Sequence, residues 1–160
     1  MSIRRTLAVL ATAAALTLVG AGPAMAANPH YVSGPTFSLV GDTVTATGSV
    51  AGLGNENVDV VLTLEASVTV QCQNPAGKIA PGQTKFFEDS TTQSDVEVEN
   101  GRLNFMISAT ADPAGADLTG ACPNAKWTPL PGDVTVLSAT LDIIQPSGSG
   151  IVVLSSSQTF

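Results

Sequence analysis

One run of strictly alternating residues constrains the fold of this chain more than any other feature. Polar side chains occupy every second position between residues 59 and 71, apart from Val61. The intervening positions are all apolar: Val58, Val60, Leu62, Leu64, Ala66, Val68, Val70 and Cys72. This period of two predicts a β-strand with one buried and one solvated face. Because strands usually span about 5–6 residues, we expect a bulge or bend near Ala66 and Ser67, where the side chains are smallest.

The chain that follows residue 26 carries strand and turn signals throughout. Valine, threonine and serine are frequent, turn residues recur at short intervals, and no ten-residue stretch keeps a helical apolar period. We predict further strands at residues 36–40, 43–50, 84–87, 133–144 and 151–156. The strand that begins at residues 84–87 is followed by a polar stretch at 88–94, and the Pro- and Gly-rich residues 111–132 are predicted to form a long loop. Alternating residues of the strand at 133–144 are expected to point inward, namely Leu137, Ala139, Leu141 and Ile143.

The clearest turn signal is the pair Asn100-Gly101 between two short β-like segments. Asn-Gly favours a type I′ hairpin turn because both residues tolerate a positive φ. The two arms of such a hairpin are expected to pair as Glu99–Arg102, Val98–Leu103, Glu97–Asn104 and Val96–Phe105.

These signals together predict an all-β fold. We count seven to nine short strands linked by turns, which is typical of an antiparallel, immunoglobulin-like β-sandwich with one disulfide. Residues 36–160 are predicted to form this single domain, preceded by an N-terminal extension at residues 27–35.

The first 26 residues have the three-part layout of a cleaved secretory signal. Arg4 and Arg5 form a positive segment, residues 7–19 are apolar, and Ala24 and Ala26 supply small side chains before the cut. The apolar run is shorter than the about 20 residues that span a bilayer. We therefore predict a secreted, extracellular protein without a membrane span after cleavage. Both the general secretory route and the twin-arginine route remain open.

Two cysteines remain after the predicted cut, and an exported chain usually joins such a pair. Cys72 is the last apolar position of the alternating run, so its side chain should point inward. Cys122 lies in the long loop. The bond is expected to be structural, since no Cys-x-x-Cys motif is present, and to stabilise the fold by about 4 kcal/mol in the chain-entropy model.

The residue inventory offers little for catalysis or for metal binding. His30 is the only histidine, and no nucleophile, phosphate-binding or zinc motif occurs. We predict no catalytic residue, no metal site and no cofactor. Acidic residues cluster at positions 88, 89, 95, 97 and 99; those at 95, 97 and 99 alternate as on a solvated strand face, and whether the cluster binds a cation stays open. Four basic and thirteen acidic residues follow the predicted cut, and their net charge of −9 argues against nucleic acid as a partner.

Trp127 and Tyr31 are the only aromatic residues with polar edges, and we take both as candidate ligand contacts. Trp127 lies five residues after Cys122. It could pack against the disulfide and the core, or it could serve as a platform for a ligand.

Several segments of turns and strand ends carry a resemblance: residues 48–55 (GSVAGLGN), 68–77 (VTVQCQNPAG), 80–83 (APGQ) and 138–141 (SATL). With these segments the chain resembles small exported β-rich proteins of actinobacteria that have no established activity. Its composition is also similar to that of the enediyne apoproteins. That similarity implies a secreted immunoglobulin-like sandwich that holds an apolar chromophore, although those proteins have two disulfides and this chain has cysteines for one.

The expected function is that of a secreted, non-enzymatic binding or cell-envelope module. Its partner could be a cell-wall polymer, another protein or a small apolar ligand. A small-molecule carrier of the enediyne-apoprotein type is the alternative, and an extracellular hydrolase is a third. A carrier should contain an apolar concavity of at least about 300 Å³, whereas a surface module should present a flat apolar or aromatic patch.

Overall fold

A computed structural model describes residues 28–160, and the predicted signal peptide lies outside this part of the chain. The described residues form seven strands and one short 3₁₀ turn at Pro113–Gly115. The strands are β1 (His30–Val40), β2 (Thr43–Ala51), β3 (Val58–Gln73), β4 (Ile79–Val96), β5 (Arg102–Thr110), β6 (Thr128–Ile144) and β7 (Val152–Thr159). Within residues 28–160, no helix is both long and apolar enough to cross a membrane.

The strands form two antiparallel sheets, which confirms the predicted immunoglobulin-like β-sandwich. One sheet has the order β1-β2-β5 and the other the order β4-β3-β6-β7. In a constant-type immunoglobulin domain the fourth strand extends the sheet of the first, second and fifth. Here β4 pairs with β3 instead, so β5 becomes an edge strand of the smaller sheet.

The main core lies between the inner faces of the two sheets. Strand β3 contributes Val58, Val60, Leu62, Leu64 and Ala66 from the alternating run, all at most 1% exposed. The other core residues come from β2 and β5 of the smaller sheet and from β6, the neighbour of β3, including Val44, Ala46, Val50, Leu103, Phe105, Ile107, Ala139, Leu141 and Ile143. The alternation in the sequence therefore records the burial of one face of β3, as predicted.

A bulge lies where the sequence predicted one, although the extra residue belongs to the neighbouring strand. Glu65 pairs with Ser138 and Ala66 pairs with Val136, so β6 has one more residue than β3 at this point. That extra residue is Leu137. Because a bulge reverses the in–out alternation, Leu137 points to solvent, and the prediction that it points inward was wrong.

Three strands are longer than the short strands that the sequence predicted. Strand β4 spans Ile79–Val96 and extends through the polar stretch at residues 88–94, beyond the predicted segment at 84–87. As an edge strand with many partly exposed positions, it can hold polar residues on both faces, so the apolar period is missing. Strand β6 likewise begins at Thr128 rather than at residue 133, inside the predicted loop.

Strand β1 begins at His30, six residues before the predicted start, so most of the predicted extension at 27–35 pairs in the sheet. Register shifts occur between Tyr31 and Ser33 and between Ser33 and Thr36. Gly34 between them has a φ of +72°. This irregularity breaks the strand pattern in the sequence without ending the strand.

The Asn100-Gly101 turn has the predicted geometry. Asn100 and Gly101 have φ values of 52° and 71°, and Glu99 and Arg102 exchange both backbone hydrogen bonds at 2.9 and 3.0 Å. The arms do not continue as the predicted hairpin, however. Beyond that bridge, β5 pairs with β2, while Val96 in β4 pairs with Val58 of the other sheet. The turn therefore connects the two sheets, and the pairing predicted for Val96 with Phe105 was wrong.

Candidate functional site

The inner face of the larger sheet is covered by a different part of the chain beyond residue 69 of β3. Bulges in both neighbouring strands flank this point, at Gly82-Gln83 in β4 and at Gly132-Asp133 in β6. Residues 58–66 of β3 face the smaller sheet, whereas Val70 and Cys72 face the loop that joins β5 to β6. We call the first region the sandwich body. The second, formed by residues 70–73, 79–83 and 116–132, we call the disulfide end.

A disulfide bond between Cys72 and Cys122 fastens this loop to the sheet, as predicted. The Sγ–Sγ distance is 2.06 Å and the Cα–Cα distance is 5.7 Å, both ordinary for a disulfide. Cys72 is fully buried on the inner face of β3. The bond lies directly over Gly82, where an added Cβ would approach Cys72 Sγ to 2.7 Å. A side chain at position 82 would therefore push the loop away from the sheet.

Few other contacts hold the loop in place. Ala121 is 1% exposed and packs with Val70 and Cys72, and Leu118 and Trp127 cover this small cluster. The Gln83 backbone N–H, within the β4 bulge, donates to the carbonyl oxygen of Ala121 at 2.9 Å. Residues 116–127 of the loop are thus held to the larger sheet by one covalent bond, one backbone hydrogen bond and a small apolar cluster, whereas the sandwich body is covered by a whole second sheet.

Two local turns shape the loop around Trp127. Asn124 accepts the Lys126 N–H at its side-chain oxygen and the Trp127 N–H at its carbonyl, each at 2.9 Å. Asp117 accepts the Thr119 N–H at 2.9 Å. The Thr119 side chain and backbone N–H both bond to Asp117 and lower the pKa of its carboxyl. These turns fix the backbone with short polar side chains, which leaves the apolar residues free to line a surface.

That surface is a cavity of about 410 Å³ beside the disulfide. Trp127 forms part of its wall, together with residues 118–120, Cys122, residues 124–125 and Pro129. Trp127 is partly exposed, so the indole ring packs against the small cluster and also faces the cavity. The two uses foreseen for Trp127, packing and ligand contact, are compatible in this arrangement.

Tyr31, the other candidate contact, lies at the opposite end of the molecule. Its ring packs against the main core from β1, and its hydroxyl is buried without a hydrogen-bond partner. Burial raises the pKa of Tyr31, and the charge of Asp142 on β6 raises it further. Asp142 pairs with Val61, whereas Thr128 beside Trp127 pairs with residue 73 of β3. Twelve residues of strand separate these positions, or about 40 Å, so Tyr31 and Trp127 cannot share a ligand.

Asp59 is a buried polar residue that the sequence analysis missed. The residue is 8% exposed, and its carboxylate accepts hydrogen bonds from Ser147 Oγ at 2.5 Å, the Gly148 N–H at 2.8 Å and the Asp95 N–H at 3.0 Å. The bond from Ser147 is the largest of the effects that lower the pKa of Asp59, followed by the two backbone donors. Asp59 occupies a polar position of the alternating run. Nothing in that pattern distinguishes it from a solvated residue.

The histidine and the acidic residues of the described chain do not come together in a catalytic or metal-binding group. His30 is exposed at the start of β1, and its Nδ1 atom lies 2.9 Å from the carbonyl oxygen of Asn28. Among residues 28–160 there is no group of three or more His, Cys, Asp or Glu side chains with the geometry to hold a metal ion. The concave surface beside Trp127 is therefore the best candidate site in the described chain.

The comparisons with known proteins add no relative to this picture: no family model, no curated protein and no solved structure matches the chain.

Proposed function

We propose that this protein is an exported binding protein that holds a small ligand in the cavity beside Trp127. The observation that carries the proposal is the cavity itself. It measures about 410 Å³, above the lower limit of about 300 Å³ for ligand pockets, and an aromatic ring forms part of its wall.

The lining favours a ligand with a flat apolar face. Leu118, Ala125, Trp127 and Pro129 supply carbon surface, and an indole ring stacks well on planar or ring-shaped molecules. Thr119 and Asn124 are the polar side chains of the wall, and they would orient the ligand by hydrogen bonds. A few polar groups on a mainly apolar wall are typical of small-molecule sites.

Binding without catalysis is the activity that this site supports. The only histidine, His30, lies at the start of β1, where it pairs with Ala51, and it is not part of the cavity wall. Asp117 is the acidic residue of the loop nearest in sequence to the cavity wall, and its carboxylate bonds to Thr119 in a local turn. General acid–base catalysis needs a titrating group within reach of the ligand, and the cavity wall contains none.

Export is part of the proposal and rests on two features. The first 26 residues have the pattern of a secretory signal. The Cys72–Cys122 bond is of the kind that persists in oxidising compartments.

The single tryptophan makes the proposal directly testable, because all indole emission reports on this cavity. We suggest titrating the mature protein with two neutral probes, 2-naphthol and an N-acetylglucosamine trimer, and recording Trp127 emission together with binding heat. We expect naphthol to bind with a change in emission and the sugar to bind more weakly or not at all.

Variants assign the binding to the cavity. Trp127→Ala should abolish the heat of naphthol binding, and Trp127→Phe, which keeps an aromatic ring, should retain part of it. Phe86→Ser removes an exposed aromatic ring from the other face of the sheet and should leave binding unchanged. Undiminished naphthol binding by a folded Trp127→Ala variant would contradict the proposal, as would the absence of binding by the parent protein.

A further inference from the structure

The outer face of the larger sheet is mainly polar, with apolar side chains at several positions that include Ile79 and Val152. Serine and threonine side chains dominate this face of β3, β4, β6 and β7. Phe86 of β4 interrupts it with a side chain that is 74% exposed, the most exposed aromatic ring among the described residues. Exposing an aromatic ring forfeits the free energy that its burial would contribute, so fold stability does not explain its place on the outer face.

The β6 bulge adds a second apolar residue beside this ring. Leu137 is the extra residue of the bulge and is 36% exposed. The Phe160 N–H donates to the carbonyl oxygen of Leu137 at 3.0 Å, which satisfies the backbone group that the bulge leaves unpaired. Bulges often re-aim a side chain in this way, and here the backbone holds Leu137 on the outer face.

Two glutamates border these apolar residues. Glu65 of β3 and Glu88 of β4 are directly opposite each other in the sheet register, and both are exposed. Ser138 Oγ donates to Glu65 Oε2 at 2.7 Å and so holds one carboxylate in place. Like charges at directly opposite positions destabilise a sheet, so this pair also lacks an explanation in fold stability.

The four side chains surround one concavity. A space of about 370 Å³ is lined by Glu65, Phe86, Glu88 and Leu137, with Ala66 and Phe87. We call Glu65, Phe86, Glu88 and Leu137 the Phe86 patch. It combines carbon surface with negative charge at one position, and it lies on the face of the sheet opposite to the Trp127 cavity.

We propose that the Phe86 patch is a protein-docking surface that binds an arginine side chain presented by a partner protein. A guanidinium group can stack on the face of the Phe86 ring in a cation–π interaction, while the guanidinium N–H groups donate hydrogen bonds to the carboxylates of Glu65 and Glu88. The aliphatic part of the arginine would cover Leu137. One arginine side chain would thus cover the exposed ring and the exposed leucine and neutralise part of the repulsion between the two glutamates.

Charge favours a basic partner over a second copy of this chain. Residues 27–160 contain four basic side chains against thirteen acidic ones, so two copies repel each other at long range. A basic protein would instead be attracted to this surface, and the attraction would weaken with salt.

The experiment uses a short capped peptide in which arginines flank a leucine, labelled with a fluorophore at one end. Its binding to the mature protein is followed by fluorescence anisotropy at low and at physiological salt. A second peptide with citrulline in place of arginine has the same shape without the charge. We expect the arginine peptide to bind and the citrulline peptide to bind about tenfold more weakly or not at all.

Matched variants separate the patch from the general negative charge of the protein. Glu65→Gln combined with Glu88→Gln, and separately Phe86→Ser, should each weaken arginine-peptide binding about tenfold. Glu97→Gln combined with Glu99→Gln removes two exposed charges elsewhere, and Met106→Ser removes a side chain that is 66% exposed on the other sheet. Both controls should change the affinity less than about twofold.

Each remaining outcome would overturn the proposal. Equal weakening by the two double glutamate variants would assign binding to diffuse charge. Absence of binding by the parent protein would show that the patch does not take arginine. Self-association of the parent in sedimentation, lost in Phe86→Ser, would identify a second copy of the chain as the occupant.

Discussion

The sandwich body and the disulfide end bury the same face of the same strand by different means. In the body, residues 58–66 of β3 lie under a second sheet, and the core they share contains 19 buried residues. At the disulfide end, Val70 and Cys72 lie under a loop, and the cluster contains three buried residues. The comparison shows that a covalent bond can replace a second sheet. At the disulfide end too little apolar surface is buried to keep the covering loop in place without that bond.

The same difference bears on function. A sheet that covers a core must keep regular pairing and a continuous apolar face. A loop fastened by one disulfide needs only its attachment point, and residues 116–127 can therefore form local turns and line a cavity. The cavity beside Trp127 therefore lies in the region where strand pairing and core packing constrain the choice of residues least.

The largest expected effect comes from removing the disulfide. Cys72→Ala and Cys122→Ala should each lower the free energy of unfolding by about 4 kcal/mol, because either change frees a loop that spans 50 residues of sequence. The double variant should cost little more than either single variant, since one bond is lost in all three. Urea unfolding measures these values. Additive losses in the double variant would contradict a bond between the two cysteines as the source of stability.

A matched pair of valines compares the two covers directly. Val60 in the body is fully buried and Val70 at the disulfide end is 2% exposed, on the same face of β3. Val60→Ala should lower the free energy of unfolding by about 2–3 kcal/mol, because the rigid sheets cannot close over the cavity. Val70→Ala should cost about 1 kcal/mol, since the loop can settle into the space. Equal losses in denaturant unfolding would mean that the loop is as rigid as a sheet.

The two glycine turns provide a smaller contrast. Gly101 has a φ of +71°, and a Cβ there would lie 2.7 Å from the carbonyl oxygen of Leu53. Gly77, in the turn between β3 and β4, has a φ of +79° and no atom within 4 Å of such a Cβ. Gly101→Val should therefore cost about 2 kcal/mol and Gly77→Val about 1 kcal/mol. Thermal unfolding of both variants tests this order, which fails if Gly77→Val proves the more harmful.

The same contrast shows what the sequence could predict. The β3 alternation, the Asn100-Gly101 turn and the Cys72–Cys122 bond follow from local chemistry or from a pairing with no competitor, and all three were predicted correctly. The length of β4 could not be read, because an edge strand tolerates polar residues on both faces. The outward position of Leu137 depends on a bulge in the pairing of β6 with β3. The sequence of β6 alone does not show this bulge, because it depends on how the two strands pair.

The candidate site was only partly predictable for a related reason. Trp127 was selected by residue type, and its position five residues after Cys122 suggested packing near the disulfide; the structure places its ring in the wall of a cavity there. Tyr31 was selected by residue type as well, and its contacts depend on how β1 folds over the core. Asp59 was missed because its donors come from residues 95, 147 and 148, which only the folded chain brings together.

The smallest expected effect is a dependence on pH that differs between the two ends. The pKa of Asp59 is lowered in the folded protein, so its carboxylate contributes stability above the unfolded pKa of about 3.9, and this contribution is lost as the pH falls through the folded pKa. Urea unfolding at a series of pH values should therefore show a loss below about pH 4 that is reduced in Asp59→Asn. Asp117 bonds only within its own exposed turn, and Asp117→Asn should leave the profile nearly unchanged. A profile insensitive to Asp59→Asn would contradict the role of this carboxylate.

Hydrogen exchange before and after reduction tests the central claim most directly, that the disulfide end depends on its bond while the sandwich body depends on its two sheets. The amides of Gln83, Ala121 and Trp127 report on the loop, and those of Leu62 and Leu141 report on the central strands. Reduction should release the loop amides to nearly unprotected exchange, while the central amides stay slow through global stability. Loop amides that keep their protection after reduction, or loop and central amides that lose protection in equal proportion, would contradict the account.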